Sequence, residues 1–214
     1  EAVLPLRDEL PTRSRAWVTQ ALVVANLAIL VWVVTMPEAA QVALVERWSV
    51  VPARLLGDPG PGVWATLFTS LFLHAGWAHL LGNLLMLWIF GNNVEDRLGH
   101  LRFIGFYLAC GVAADFAQVW SDPASPIPSL GASGAIAGVL AAYLLWYPRA
   151  AVTVLVPILI LPWLVRLPAL VVIGLWFVLQ LTSALQALDP GLAGAGGVAW
   201  FAHIGGFVAG LVLL

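Results

Sequence analysis

The chain has 214 residues, of which 62% are hydrophobic and only 9% charged, against roughly 45–50% and 25% in a soluble domain. The bilayer is therefore its solvent, a reading supported by a mean hydropathy of +0.97. Nine cations against eleven anions give a net charge of -2, and with no basic footprint nucleic acid is excluded as a partner.

The first fifteen residues carry Glu1, Asp8 and Glu9, and the apolar stretch after them is too long for the core of a cleavable signal peptide, so it is expected to stay in the membrane. The chain opens on Glu1 without Met and closes at Leu214 inside an apolar run; both ends read as trimmed. A spanning helix needs about 20 mostly apolar residues. On that criterion the expected spans are 16–36, 78–96, 101–121, 131–148, 167–188 and 199–214. Residues 37–77 mix Pro37, Pro52, Pro59 and Pro61 with Trp48, Leu55, Leu56, Trp64 and Phe68, which suits an interfacial loop with short amphipathic helices. The third span holds the single cysteine, Cys110, which can form no internal disulfide and reads as a small buried hydrophobe. The run 151–165 is short for a span and interrupted by Pro157 and Pro162, and reads as interfacial or re-entrant.

Positive charge concentrates in cytoplasmic loops. With the N-terminus inside, the inner segments hold Arg7, Arg13, Arg15, Arg97, Arg102, Arg149 and Arg166, and the outer ones only Arg47 and Arg54. The loops 122–130 and 189–198 carry Asp122 and Asp189 but no Arg, which suits the outside. All cations are Arg and none Lys, a bias of GC-rich genomes that points to a bacterial cytoplasmic membrane. Spans two, four and six then run from outside to inside.

On that orientation His79, Asn83, Ser133 and His203 all fall near the outer ends of their spans, at similar depth. Polar groups in a membrane are costly, face the bundle interior or a wet cavity, and mark function. A serine hydroxyl is a weak nucleophile until a neighbouring base activates it, so Ser133 with His203 suggests that pair. Gly134 and Gly138, and Gly206 and Gly210, form two GxxxG steps that would let the fourth and sixth spans approach closely. The blander reading is that small-residue contacts occur in every polytopic protein and that a membrane serine bonds to its own helix. His79 and Asn83 share one helix face and offer either donors for an oxyanion or polar glue between helices.

His74 reads as a structural hydrogen-bond partner at the interface. Asp115 suits the wet outer part of the bundle, Asp189 a loop or cap before Pro190, and His100 an ordinary loop position. The histidines are scattered and no HExxH or Cys/His cluster occurs, so neither metal nor cofactor is expected.

The elements His79-Leu80-Leu81-Gly82-Asn83, Gly131-Ala132-Ser133-Gly134 and Ala202-His203-Ile204-Gly205-Gly206, in that order, resemble the rhomboid family of intramembrane serine proteases. The likeness extends to the long first loop and to Glu95-Asp96-Arg97-Leu98-Gly99, and so covers nearly the whole chain as one membrane domain, 1–214. It implies an all-α six-transmembrane-helix bundle around a water-filled cavity open to the outer side. It also implies Ser133 as nucleophile, His203 as general base, and His79, Asn83 and the Ser133 amide as the oxyanion site.

The substrates so implied are transmembrane proteins cut in or near a membrane helix, with lipid as the surrounding partner. Two departures stand out. The tyrosine that some members place four residues after the nucleophile is Ala137 here, which leaves open what orients His203. The Trp-Arg pair found in many first loops is Trp64-Ala65, which leaves open how the loop is anchored. The rival readings are a non-proteolytic helix-binding scaffold of the same fold, and a transporter with His79, Asn83 and His203 lining its path.

Overall fold

The computed structural model describes residues 4–57, 59–158, 161–187 and 199–214. An N-terminal strand β1 (Leu4–Asp8) precedes α1 (Trp17–Val34). The first loop then folds as α2 (Glu38–Trp48), α3 (Pro52–Gly57), α4 (Pro61–Trp64), α5 (Thr66–Thr69) and a 3-10 turn, Ser70–Phe72. There follow α6 (Trp77–Leu98), α7 (His100–Ser121), α8 (Ser133–Trp146), the strands β2 (Ala151–Ile158) and β3 (Leu161–Pro168), α9 (Ala169–Ala187) and α10 (Trp200–Val212). The protein is an integral, multi-pass membrane protein. Its six apolar helices coincide with the six expected spans, and the first loop holds the short helices anticipated there.

Each long helix buries one stripe and offers the other face to lipid. On α1 the buried stripe is Thr19, Leu22, Asn26, Leu30 and Val33, a three-to-four-residue repeat, while Val24, Val31 and Trp32 on the other sides are exposed. The amino end of α1 has no cap of its own; the buried Glu95 supplies one, accepting from the Val18 and Thr19 amides at 2.9 and 2.7 Å and from Thr19 Oγ1 at 2.7 Å. Its neighbour Asp96 accepts from the Arg13 and Ser14 amides. Two carboxylates thus meet the unpaired amides and positive dipole of a helix start, which gives the Glu95-Asp96 pair a structural purpose. Gly99, at φ 80°, makes the one-residue joint between α6 and α7 in a conformation that costs glycine nothing. His100 is the first residue of α7 rather than a loop residue, and its Nδ1 donates to Glu95 at 2.6 Å.

Three helices, α1, α7 and α9, are long and apolar enough to cross a bilayer alone; α6 joins them together with the helical segment before it, from which it turns by 78°. The central α8 has only 14 residues and α10 only 13, about 21 and 20 Å at 1.5 Å per residue. Both fall short of the roughly 30 Å hydrocarbon core.

The two short helices pack backbone to backbone. A Cβ on Gly206 would fall onto the Gly134 carbonyl, one on Gly210 would stand 2.5 Å from the Gly138 oxygen, and one on Gly138 would meet Cys110 Sγ at 2.5 Å. The expected GxxxG approach is therefore real, and Cys110 is buried against it as a free thiol.

The helical bundle carries one addition that the sequence reading did not contain. Residues 151–168 form a regular antiparallel hairpin, with Ala151 opposite Pro168 and Ile158 opposite Leu161, and β1 joins it antiparallel in the order β1-β2-β3. The run 151–165, expected to be interfacial or re-entrant, thus takes the form of a strand pair. The β-branched Val152, Thr153, Val154 and Val156 favour a pleated surface, and Pro157 and Pro162, which would break a helix, sit opposite each other near the open end. Val152 and Val154 are fully buried in the main core. The hairpin is closed at its base by the Ala169 amide on the Ala150 carbonyl, 2.8 Å, and the Leu170 amide on that of Pro148, 2.9 Å. β1 packs against α6, and β2 and β3 pack against α9.

Candidate active site

Ser133 opens α8, and His203 lies one turn into α10. Close glycine contact between those helices brings the two side chains together: Ser133 Oγ donates to His203 Nε2 at 2.7 Å. The other ring nitrogen donates to Gln180 Oε1 at 2.6 Å. An amide oxygen only accepts, so this bond fixes the tautomer, with the proton on Nδ1 and the Nε2 lone pair facing the serine. The ring of Trp176, one turn before Gln180 on α9, lies 5.9 Å from the imidazole at 39°, and Trp200 stands edge-on at 6.1 Å and 86°.

Gln180 and Trp176 therefore occupy the place left open by Ala137, orienting an imidazole that is itself 8% exposed. The sequence reading missed both. The signal was present: Gln180 is an amide inside an apolar span, on the buried stripe of Ala169, Ile173 and Ala184, where polar groups are rarely idle.

His79 and Asn83 lie against the segment that leads to the serine. Gly131, two residues before it, adopts φ 120°, and a Cβ there would press at 2.8 Å on the His79 ring and approach Asn83 Nδ2 at 3.7 Å. Only glycine leaves room for both the left-handed backbone and the histidine. Asn83 Nδ2 donates to His74 Nε2 at 3.0 Å, and the His74 and His79 rings meet edge-on at 5.1 Å. His74 is thus a structural partner as expected, although buried rather than interfacial.

Asp115 departs from expectation: it is buried, not wet, and accepts from Ser70 Oγ at 3.1 Å. Ser70 in turn accepts the Gly131 amide at its carbonyl, 2.9 Å, so α7 and the first loop together hold the segment before Ser133. The first loop is pinned again by the Arg54 guanidinium, which donates to the carbonyls of Glu46 and Ser49, and by paired backbone bonds between Val50 and Ser129. Asp189 lies outside the described residues.

A cavity of about 240 Å³ opens beside the Ser133–His203 pair, lined by both of these, by Asn83 and Trp176, and by Leu4 and Pro5 of β1. Among the described residues no group of His, Cys, Asp and Glu could hold a metal ion.

The family model described as "Rhomboid domain" matches residues 61–214. The rhomboid protease GluP of Bacillus subtilis is 48% identical over 39% of this chain, and rhomboid-like protein 11, chloroplastic, of Arabidopsis thaliana is 34% identical over 71% of it. Rhomboid-type serine protease 2 of Emericella nidulans is 30% identical over 76%. The chain spans 16%, 51% and 29% of those proteins' own lengths. A bundle of this architecture, with a family match over most of its length, makes the chain a member of the rhomboid family.

Proposed function

We propose that the protein is an intramembrane serine endopeptidase that cuts membrane-protein substrates in or near a transmembrane helix, with Ser133 as nucleophile and His203 as general base. The observation that carries this reading is the chain of bonds Ser133–His203–Gln180, part-buried at the serine and buried at the amide, at 2.7 and 2.6 Å and with the tautomer a base requires. Ser133 Oγ attacks the scissile carbonyl as its proton passes to Nε2. His203 then returns that proton to the departing amine, and water attacks the acyl-enzyme by the same route in reverse. Gln180 holds the ring without taking the proton.

The negative charge that develops on the carbonyl oxygen needs fixed donors. Asn83 Nδ2 has a second N–H beyond the one given to His74, His79 stands against Gly131, and the amides of the first turn of α8 have no partner within their helix. The substrate meets this site from a bundle whose Arg distribution puts the N-terminus inside and Ser133 toward the outer face, as expected of a bacterial cytoplasmic membrane. A scaffold that merely binds helices would have no use for an activated serine.

The test is a variant series in detergent, read by labelling with a fluorophosphonate and by cleavage of a membrane-protein reporter. Ser133→Ala abolishes both, and His203→Ala abolishes cleavage, with melting temperature unchanged. Asn83→Ala and His79→Ala slow turnover by about 100- to 1000-fold at similar KM, the cost of one oxyanion donor. Turnover by a clean Ser133→Ala preparation rules out the dyad. A fall in melting temperature with a normal rate per folded molecule reduces Asn83 and His79 to helix glue.

A further inference from the structure

β1 stands where the chemistry of the site would place something else. Leu4 and Pro5 wall the same cavity as Ser133 and His203, while their strand lies between α6 and β2. Among the described residues the side-chain ties of this strand gather at its Asp8–Glu9 end. At Asp8–Glu9 it is tied by the Tyr143 hydroxyl on Asp8, 2.8 Å, by the Glu9 amide on Ala151, 3.0 Å, and by Arg166 on Glu9, 2.9 Å. At the cavity end it is five residues in all, contains a proline with no N–H to give, and slips register between Pro5 and Arg7, whereas β2 and β3 pair without interruption over eight positions. The half beyond the register slip is the half that touches the dyad's cavity.

A substrate helix hides its amides in its own hydrogen bonds, so a bond can be cut only after local unwinding. In an apolar medium each freed N–H or C=O costs several kcal/mol unless it finds a partner. The edge of β2 offers a row of such partners, and addition of an extended segment to a strand edge is a recurrent mode of peptide recognition. The present occupant shows what the groove accepts: an extended, apolar Leu4-Pro5-Leu6.

We propose that the groove between α6 and the edge of β2 is the docking site for the unwound, apolar segment of a membrane substrate, which displaces the Leu4–Leu6 end of β1 by strand exchange and is thereby led to Ser133. The chain's own N-terminal strand is then a built-in competitor. This rests on the assignment of Ser133 as nucleophile.

The test locks the strand. Leu4 and Leu155 are directly opposed across the antiparallel pair, within disulfide reach, and the native Cys110 is buried away from reagents. In Leu4→Cys/Leu155→Cys the oxidised form cleaves a single-helix membrane reporter at least about 10-fold more slowly than the reduced form, while a small fluorophosphonate labels Ser133 at the same rate in both. Equal cleavage in the two forms overturns the proposal. So does an oxidised form that also stops labelling, since the bridge then acts by distorting the site.

A second variant beginning at Arg7 removes the competitor without a bridge: KM for the reporter falls severalfold at similar kcat. A lower kcat at unchanged KM makes β1 a structural brace and overturns the docking role. Wild-type protein that neither labels nor cleaves refutes the Ser133 assignment instead.

Discussion

His203 is held by an amide rather than a carboxylate, and that choice has a physical consequence. A buried carboxylate beside the ring would bring a full charge into a low-dielectric interior, at a cost that good geometry alone offsets. The Gln180 oxygen supplies direction and tautomer without that charge. Gln180→Leu removes the acceptor and leaves the Nδ1 proton unpaired, so kcat falls by about 10- to 100-fold with KM unchanged, equivalent to one buried hydrogen bond of about 1–3 kcal/mol. Gln180→Glu keeps an oxygen facing Nδ1 and retains most of the turnover. Initial rates of the two variants side by side, each corrected for folded protein, decide the point: equal losses would mean that Gln180 only fills space.

At the scale of elements, the dyad is a product of how closely α8 and α10 approach. Neither helix brings a long polar side chain across a gap; the backbones themselves meet at Gly134 and Gly206. A side chain at 206 collides with a carbonyl, which cannot swing aside as a rotamer can. Gly206→Leu therefore costs more than the usual 1–3 kcal/mol of an overpacked core and separates Ser133 from His203. The expected result is a melting temperature lower by at least about 5 °C and fluorophosphonate labelling slowed even in the fraction that stays folded. Unchanged labelling would show that the helices can part without parting the dyad. Gly205 is as confined, against Ala117 of α7, so α10 is wedged between α7 and α8 on adjacent faces and has little freedom to move as a unit.

The whole molecule sets the direction from which substrate and water reach the site. The proposed orientation rests on seven arginines on one side against two on the other. Ala124 and Arg149 are both exposed, on opposite sides of that orientation. In intact cells an impermeant thiol reagent labels Ala124→Cys and spares Arg149→Cys, and permeabilisation exposes both. The reverse pattern places Ser133 toward the inside and removes the argument from shared depth.

What the sequence determined by itself follows from the solvent it must fold in. A bilayer demands long apolar runs and punishes stray polar groups, so the six helices, the glycine steps and the set Ser133, His203, His79 and Asn83 stand out along the chain. The cap formed by Glu95 was visible only as a motif; its purpose needed α1 beside it. The sheet was hidden because apolar runs of 8 residues on both sides of a tip show no period that separates strand from interface segment, and because β1 pairs with a partner nearly 150 positions away. Gln180 and Trp176 were decided by tertiary structure for a related reason. Their meaning is a distance to His203 on another helix, 2.6 Å for one and 5.9 Å for the other, and one-dimensional spacing carries no record of which faces of two helices meet.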